Sequence, residues 1–158
     1  MEKNYFIYQT DIGELLFAEL NGALTEVYSW KDLPMGFTGV HQETPVLKEA
    51  ARQMREYLRG ERKEFDLPLA PQGTPFQLAV WNALRQIPYG ETRSYKDIAY
   101  AIGKPKAMRA VGGANHNNPI SFIIPCHRVI GADGSMVGYG GGVGLKKTLL
   151  ELEARFKR

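Results

Sequence analysis

Residues 94–114 read SYKDIAYAIGKPKAMRAVGGA, and this stretch decides the fold of the second half of the chain. Ser94 to Ile102 predicts a short amphipathic helix and Gly103-Lys104-Pro105 a tight turn. Lys106 to about Ala114 predicts a second helix with Lys106 and Arg109 on its outer face. Helix, short glycine turn and helix make a helix-turn-helix, although the same pattern also serves as a plain structural hairpin. Upstream, Thr74-Pro75-Phe76-Gln77 places Thr and Gln three apart, as in a capping box. Phe76, Val80, Leu84 and Ile87 then form a helical stripe that stops at Pro88-Tyr89-Gly90. Downstream come an apolar, strand-like run from Ile120 to Ile124, a hairpin signal at Asp133-Gly134, a glycine-rich loop and a final helix from about Leu145.

The first half reads differently. Tyr5 to Gln9, Glu14 to Leu20 and Leu24 to Trp30 are rich in aromatic and branched residues. Asp11-Ile12-Gly13 and the tight-hairpin pair Asn21-Gly22 separate them, so a strand meander is expected. Thr44-Pro45 is a capping residue followed by proline at the first helical position, opening a helix that runs to about Leu58 and closes at Gly60. Pro68, Pro71, Gly73 and Pro75 mark a linker. The expected organisation is an α+β module over 1–67, a linker at 68–74 and a second domain over 75–158. Charge divides at the same place: residues 1–72 hold 8 Lys and Arg against 12 Asp and Glu, net −4, and residues 73–158 hold 12 against 5, net +7. A basic second domain suits a polyanion partner, because phosphate contacts release counterions.

With 44% hydrophobic and 23% charged residues among 158, the chain can bury a core, and disorder is not expected. No apolar run reaches a membrane span, and Met1 to Thr10 lacks the apolar stretch of a secretory signal, so no membrane partner and a cytoplasmic location are expected. The single cysteine excludes an internal disulfide framework and a multi-cysteine zinc finger.

That cysteine lies in Ile123-Ile124-Pro125-Cys126-His127-Arg128-Val129-Ile130. A neighbouring histidine and arginine can lower a thiol pKa from about 8.5 to between roughly 3.5 and 7.5, which would make Cys126 a nucleophile at neutral pH. The alternative is a buried, inert thiol. Gly138-Tyr139-Gly140-Gly141-Gly142-Val143-Gly144 fits neither G-x-G-x-x-G nor G-x-x-x-x-G-K-[ST], so a nucleotide-phosphate loop is not expected.

Pro125-Cys126-His127-Arg128-Val129, preceded by Arg109-Ala110-Val111-Gly112-Gly113-Ala114 and Asn118-Pro119 and followed by Tyr139 and Gly141-Gly142, resembles the O6-alkylguanine-DNA alkyltransferases over about Thr74 to Glu153. The resemblance implies a ribonuclease-H-like N-terminal domain followed by a winged helix-turn-helix domain. It implies direct-reversal repair, in which an alkyl group moves irreversibly from guanine oxygen in double-stranded DNA to Cys126. By the same resemblance His127 deprotonates Cys126 through a water and Glu153 orients the histidine. Tyr95 donates to the flipped base, Ser94 contacts phosphate, and Arg109 fills the space the base vacates. The small residues near Arg109, Ala107 among them, allow close approach to the minor groove. Val129 lines the alkyl side, Tyr139 packs on the base, a main-chain N–H near Gly140 bonds the guanine oxygen, and Asn118 ties the turn before the active-site strand. Position 140 departs from relatives that carry serine there.

Glu153 flanks a stripe of Leu145, Leu149, Leu152 and Phe156, which suits a half-buried carboxylate and equally a surface Glu paired with Lys157. Outside this context His127 reads as a packing residue and Tyr95 as a core aromatic. Some relatives bind zinc in the N-terminal domain, but only His41 is present there, so no metal and no cofactor are expected. A monomer is expected. The competing functions are a winged-helix regulator or lesion sensor without chemistry, and a cysteine hydrolase that turns over.

Overall fold

The computed structural model describes residues 2–134 and 143–157, which form two units, 1–72 and 73–158. In the first unit, β1 (Asn4–Thr10), β2 (Gly13–Leu20) and β3 (Ala23–Ser29) form the antiparallel meander. Asn21 and Gly22 both take positive φ (54° and 85°), the two-residue turn whose twist matches its flanking strands. The loop that follows holds a 3-10 turn at Trp30–Asp32 and a two-residue strand, β4 (Val40–His41), which pairs parallel to β1 and completes the order β3-β2-β1-β4. Helix α1 (Pro45–Leu58) packs Leu47, Ala50, Ala51, Met54 and Tyr57 into a core shared with Leu15, Phe17 and Val27. It closes on Gly60 at φ 77°, with Gly60 N–H on Tyr57 O and Glu61 N–H on Glu56 O, the glycine-terminated helix ending.

One expectation needs refining here and another correcting. Thr44 is the N-cap of α1 and Pro45 opens the helix, as expected, but the Thr44 side chain makes no capping bond; its hydroxyl is turned to the buried Glu19 carboxylate and donates to it at 3.1 Å. Residues 68–70, read as linker, pair with β3: Leu24 N–H donates to Pro68 O and Ala70 N–H to Leu24 O.

In the second unit, α2 (Pro75–Leu84) opens with a complete capping box: Gln77 N–H donates to Thr74 Oγ1, and Thr74 N–H to the Gln77 side chain. Its core face is Val80, Trp81, Leu84 and then Ile87. A two-residue strand, β5 (Arg93–Ser94), leads into α3 (Tyr95–Ala101), with Ser94 as N-cap in a second capping box with Asp97. Gly103 at φ 74° turns the chain, with Gly103 N–H on Tyr100 O and Lys104 N–H on Ala99 O. Helix α4 spans Met108–His116, beginning two residues later than the sequence suggested because Ala107 N–H closes a turn onto Lys104 O. Helices α2, α3 and α4 pack together around Trp81, Ile98, Ala99, Val111 and Ala114.

The run Ile120–Ile124 is not a strand. It is a chain of tight turns: Ile123 N–H bonds Ser121 O around Phe122, whose φ is 72°, and Ile124 N–H bonds Ile120 O. Its apolar side chains are buried, as a core strand's would be, so hydrophobicity could not separate the two readings. A 3-10 turn at Cys126–Arg128 follows, then β6 (Val129–Ile130), parallel to β5, and finally α5 (Val143–Arg155). Among the described residues no helix is long and apolar enough to cross a membrane, and no three His, Cys, Asp or Glu side chains group as a metal site.

Candidate active site

The polar centre of the second unit is built around Glu153. Helix α5 buries Lys146, Leu149 and Glu153, spaced as one helical stripe, rather than the Leu145, Leu152 and Phe156 face, which is only half-buried. Glu153 is therefore not an edge residue; it is 0% exposed. Its Oε2 lies 2.7 Å from His127 Nε2 and 3.0 Å from an Arg128 terminal nitrogen, and its Oε1 accepts from Arg128 Nε at 2.9 Å and from Gly90 N–H at 3.1 Å. Gly90 reaches that position at φ 80°, and a Cβ there would meet the Lys157 side chain at 2.8 Å. Arg128 also donates to Ile87 O at 2.8 Å and lies 5.7 Å from the Tyr89 ring centre. One carboxylate thus joins α5, the loop after α2 and the Cys126–Arg128 turn. Burial opposes its charge, but the His127 and Arg128 donors win and hold its pKa at about 2.

His127 is fully buried, and burial pulls its pKa below the usual 6.5, with Glu153 only partly offsetting it. The imidazole is therefore neutral near pH 7. Because ionised Glu153 can only accept, the proton sits on Nε2, leaving Nδ1 as the basic nitrogen.

Cys126 corrects the sequence reading. Burial pushes its thiol up to about 11, because His127 and Arg128 are turned onto Glu153 instead of the sulfur. What favours the thiolate is the Asn118 side-chain amide, the Lys146 charge, and the backbone N–H groups of Cys126 and Phe122. The positive φ of Phe122 accompanies the aiming of its amide at the thiol, a conformation rare for a bulky residue and typical of strained functional turns. Asn118 is pinned in turn: its amide donates to Ile124 O at 2.8 Å and its oxygen accepts Ile120 N–H at 3.0 Å. Lys146, 0% exposed, donates to Val129 O.

Tyr95, at the start of α3, is half-buried; burial first and the nearby Cys126 second raise its pKa, so its hydroxyl keeps its proton. It shares a cavity of about 650 Å³ with Met108, Arg109, Gly112 and Gly131. Its ring lies 3.9 Å from where a Gly112 Cβ would stand, which brings α4 close to α3. Arg109 is exposed in the first turn of α4, Ala107 is its half-buried N-cap, Ser94 caps α3, and Val129 is buried. The structure so brings Cys126, Asn118, Lys146 and Tyr95 together, joins His127 to Glu153, and sets Arg109 beside Tyr95 on the cavity wall. Tyr139 and Gly140 lie outside the described residues. The sequence reading assigned no part to Lys146, Asn115 or Met108. The signal for Lys146 was present: Lys146, Leu149 and Glu153 are spaced on one helix face, with charges where apolar residues belong.

Two family models match the chain: the 6-O-methylguanine DNA methyltransferase ribonuclease-like domain over residues 4–71 and the DNA-binding domain of the same family over 75–155. The constitutive methylated-DNA–protein-cysteine methyltransferase of Bacillus subtilis is 47% identical, over 94% of each chain, and the Methanosarcina acetivorans protein of that name is 48% identical over 94% of this chain and 97% of its own. The crystal structure of Mycobacterium tuberculosis OGT in complex with DNA superposes with a TM-score of 0.90 at 46% identity, covering 97% of this chain and 94% of that one. The α+β, two-domain fold class expected from the sequence agrees with these matches.

Proposed function

Because this chain belongs to the 6-O-methylguanine DNA methyltransferase family, we propose that it reverses guanine alkylation in double-stranded DNA by taking the alkyl group irreversibly onto Cys126. Its activity is methyl transfer from methylated DNA to a protein cysteine, and its role is repair of DNA alkylation. The observation that carries the assignment to Cys126 is the setting of this buried sulfur, ringed by thiolate-favouring donors and followed by the His127–Glu153 pair.

A thiol of pKa about 11 is ionised at pH 7 in roughly one molecule in ten thousand, about 5 kcal/mol uphill. Chemistry therefore requires a base that acts as the sulfur attacks. His127 Nδ1 takes the thiol proton through a bridging water, and Glu153 stabilises the imidazolium. The sulfur attacks the saturated carbon on guanine O6; the C–S bond forms as the C–O bond breaks, and the electron pair goes to the base. Tyr95 donates its hydroxyl proton to the departing guanine and recovers one from the site, so the proton lost by the thiol ends on guanine. A thioether has no low-pKa leaving group from which the sulfur could be regenerated, so each chain reacts once. Extruding the nucleotide costs a few kcal/mol, and Arg109, exposed at the head of α4, occupies the space it leaves. Ser94 meets phosphate and Val129 bounds the alkyl side. The protein acts as a monomer in the cytoplasm, without metal or cofactor.

Intact-mass spectrometry after incubation with excess O6-methylguanine duplex tests this. One methyl per chain, mapped to Cys126, is expected. Binding without an adduct would leave a lesion sensor, and continued turnover a hydrolase; either result overturns the reading.

A further inference from the structure

Asn115 is 1% exposed, on the face of α4 that also buries Val111 and Ala114. An apolar side chain on that stripe would leave no polar atom of its own to satisfy. Asn115 instead makes a single 3.3 Å hydrogen bond, from its side-chain nitrogen to Cys126 O, and its Oδ1 is buried with no hydrogen-bond partner among the described residues. The amide orientation is fixed by chemistry, since a carbonyl can only accept. An orphaned buried acceptor weakens a fold, so this asparagine is a poor choice for packing alone.

The atom it holds explains it. Cys126 O belongs to the peptide plane that joins the nucleophile to His127, so holding it restricts ψ of Cys126 and φ of His127, the two backbone torsions that lie between the sulfur and its base. The neighbouring carbonyl, Ile124 O, is held by Asn118, and Ala114 O, one residue before Asn115, accepts Trp81 Nε1–H at 2.8 Å. The end of α4 is thus anchored to α2 and in turn grips the nucleophile turn.

We propose that Asn115 is a positioning residue for alkyl transfer: its side-chain amide fixes the Cys126–His127 peptide plane, and with it the aim of the sulfur and of its base. The proposal rests on the reading of Cys126 as the alkyl acceptor. Asn115→Leu keeps the branched shape and heavy-atom count at the cost of two bulkier methyl groups, removes the grip and removes the orphan oxygen.

The test measures single-turnover methyl transfer at saturating O6-methylguanine duplex, duplex affinity and thermal unfolding, for wild type and Asn115→Leu together. Transfer about five- to tenfold slower, with unchanged duplex affinity and an equal or higher unfolding temperature, is expected, because a packing role would lower stability and rate together. An unchanged rate overturns the proposal. If both rate and stability fall, rates are compared at equal distances below each protein's unfolding temperature; a remaining deficit supports the positioning role, and its disappearance overturns it. A wild-type protein that takes up no methyl group would instead defeat the functional reading, so the two failures are distinct.

Discussion

Replacing Glu153 with glutamine keeps the shape of the side chain and deletes its charge. Four donors converge on the carboxylate: His127 Nε2 and one Arg128 nitrogen on Oε2, Gly90 N–H and Arg128 Nε on Oε1. A glutamine nitrogen at the Oε1 position would face two donors, neither able to accept. At the Oε2 position it can be met only if His127 turns Nε2 into the acceptor and carries its proton on Nδ1. The variant is therefore driven to the tautomer whose Nδ1 already carries a proton and cannot act as the proposed base.

The stability effect follows from the carboxyl pKa, held at about 2 against an ordinary 4.5. The folded state prefers the ionised form by about 3 kcal/mol, a contribution present above pH 4.5 and lost as pH falls toward 2. Leaving Arg128 buried without its anion costs about 3–5 kcal/mol by the usual measure of broken buried pairs. Denaturant unfolding of Glu153→Gln should show a loss of this size at pH 7 and a weaker acid dependence between pH 4.5 and 2. Single-turnover transfer should fall by about 10⁴-fold, the order of loss when a tautomer-holding carboxylate is neutralised. A variant within about 1 kcal/mol of wild type that transfers at the wild-type rate would refute the reasoning.

The transfer rate should be flat above about pH 6.5 and fall only in more acid solution, because burial depresses the His127 pKa and the neutral ring is the base; a limb centred near the thiol's own ionisation would contradict this. The same depressed pKa means that the unfolded chain takes up the proton first, so the His127 contribution to stability is lost as pH falls through about 6.5, visible in unfolding curves measured against a His127→Gln control. Lys146→Met removes the buried cation that favours the thiolate and should slow transfer by about tenfold or more, with an unchanged rate counting against that role. Arg109→Ala should impair repair in duplex DNA by about tenfold or more while sparing reaction with free O6-alkylguanine base, since extrusion costs a few kcal/mol only in the duplex; equal loss on both substrates would remove Arg109 from base extrusion.

What the sequence made legible was local. Asn21-Gly22, the Thr74 and Gln77 pair and Gly103 after α3 each dictate their own backbone geometry within a few residues, and each element appears where its signals stand. Long-range hydrogen bonding was not legible. Ile120–Ile124 reads as a strand because its burial is real, but Asn118 fixes that run into turns by taking Ile120 N–H and Ile124 O. Proximity of His127 and Arg128 in sequence suggested an acidic thiol. Only the fold reveals that both face Glu153, 25 or more positions away, leaving Cys126 to a different set of donors.

The two-residue pairing of β5 with β6 sets Arg93 opposite Val129 and Ser94 opposite Ile130. Tyr95 follows one strand directly, and Cys126 lies three positions before the other, so the phenol and the sulfur are measured from a common ruler. A disturbance that shifts this ladder carries both groups along with it. Their mutual spacing is therefore better protected than the place of either one within the domain.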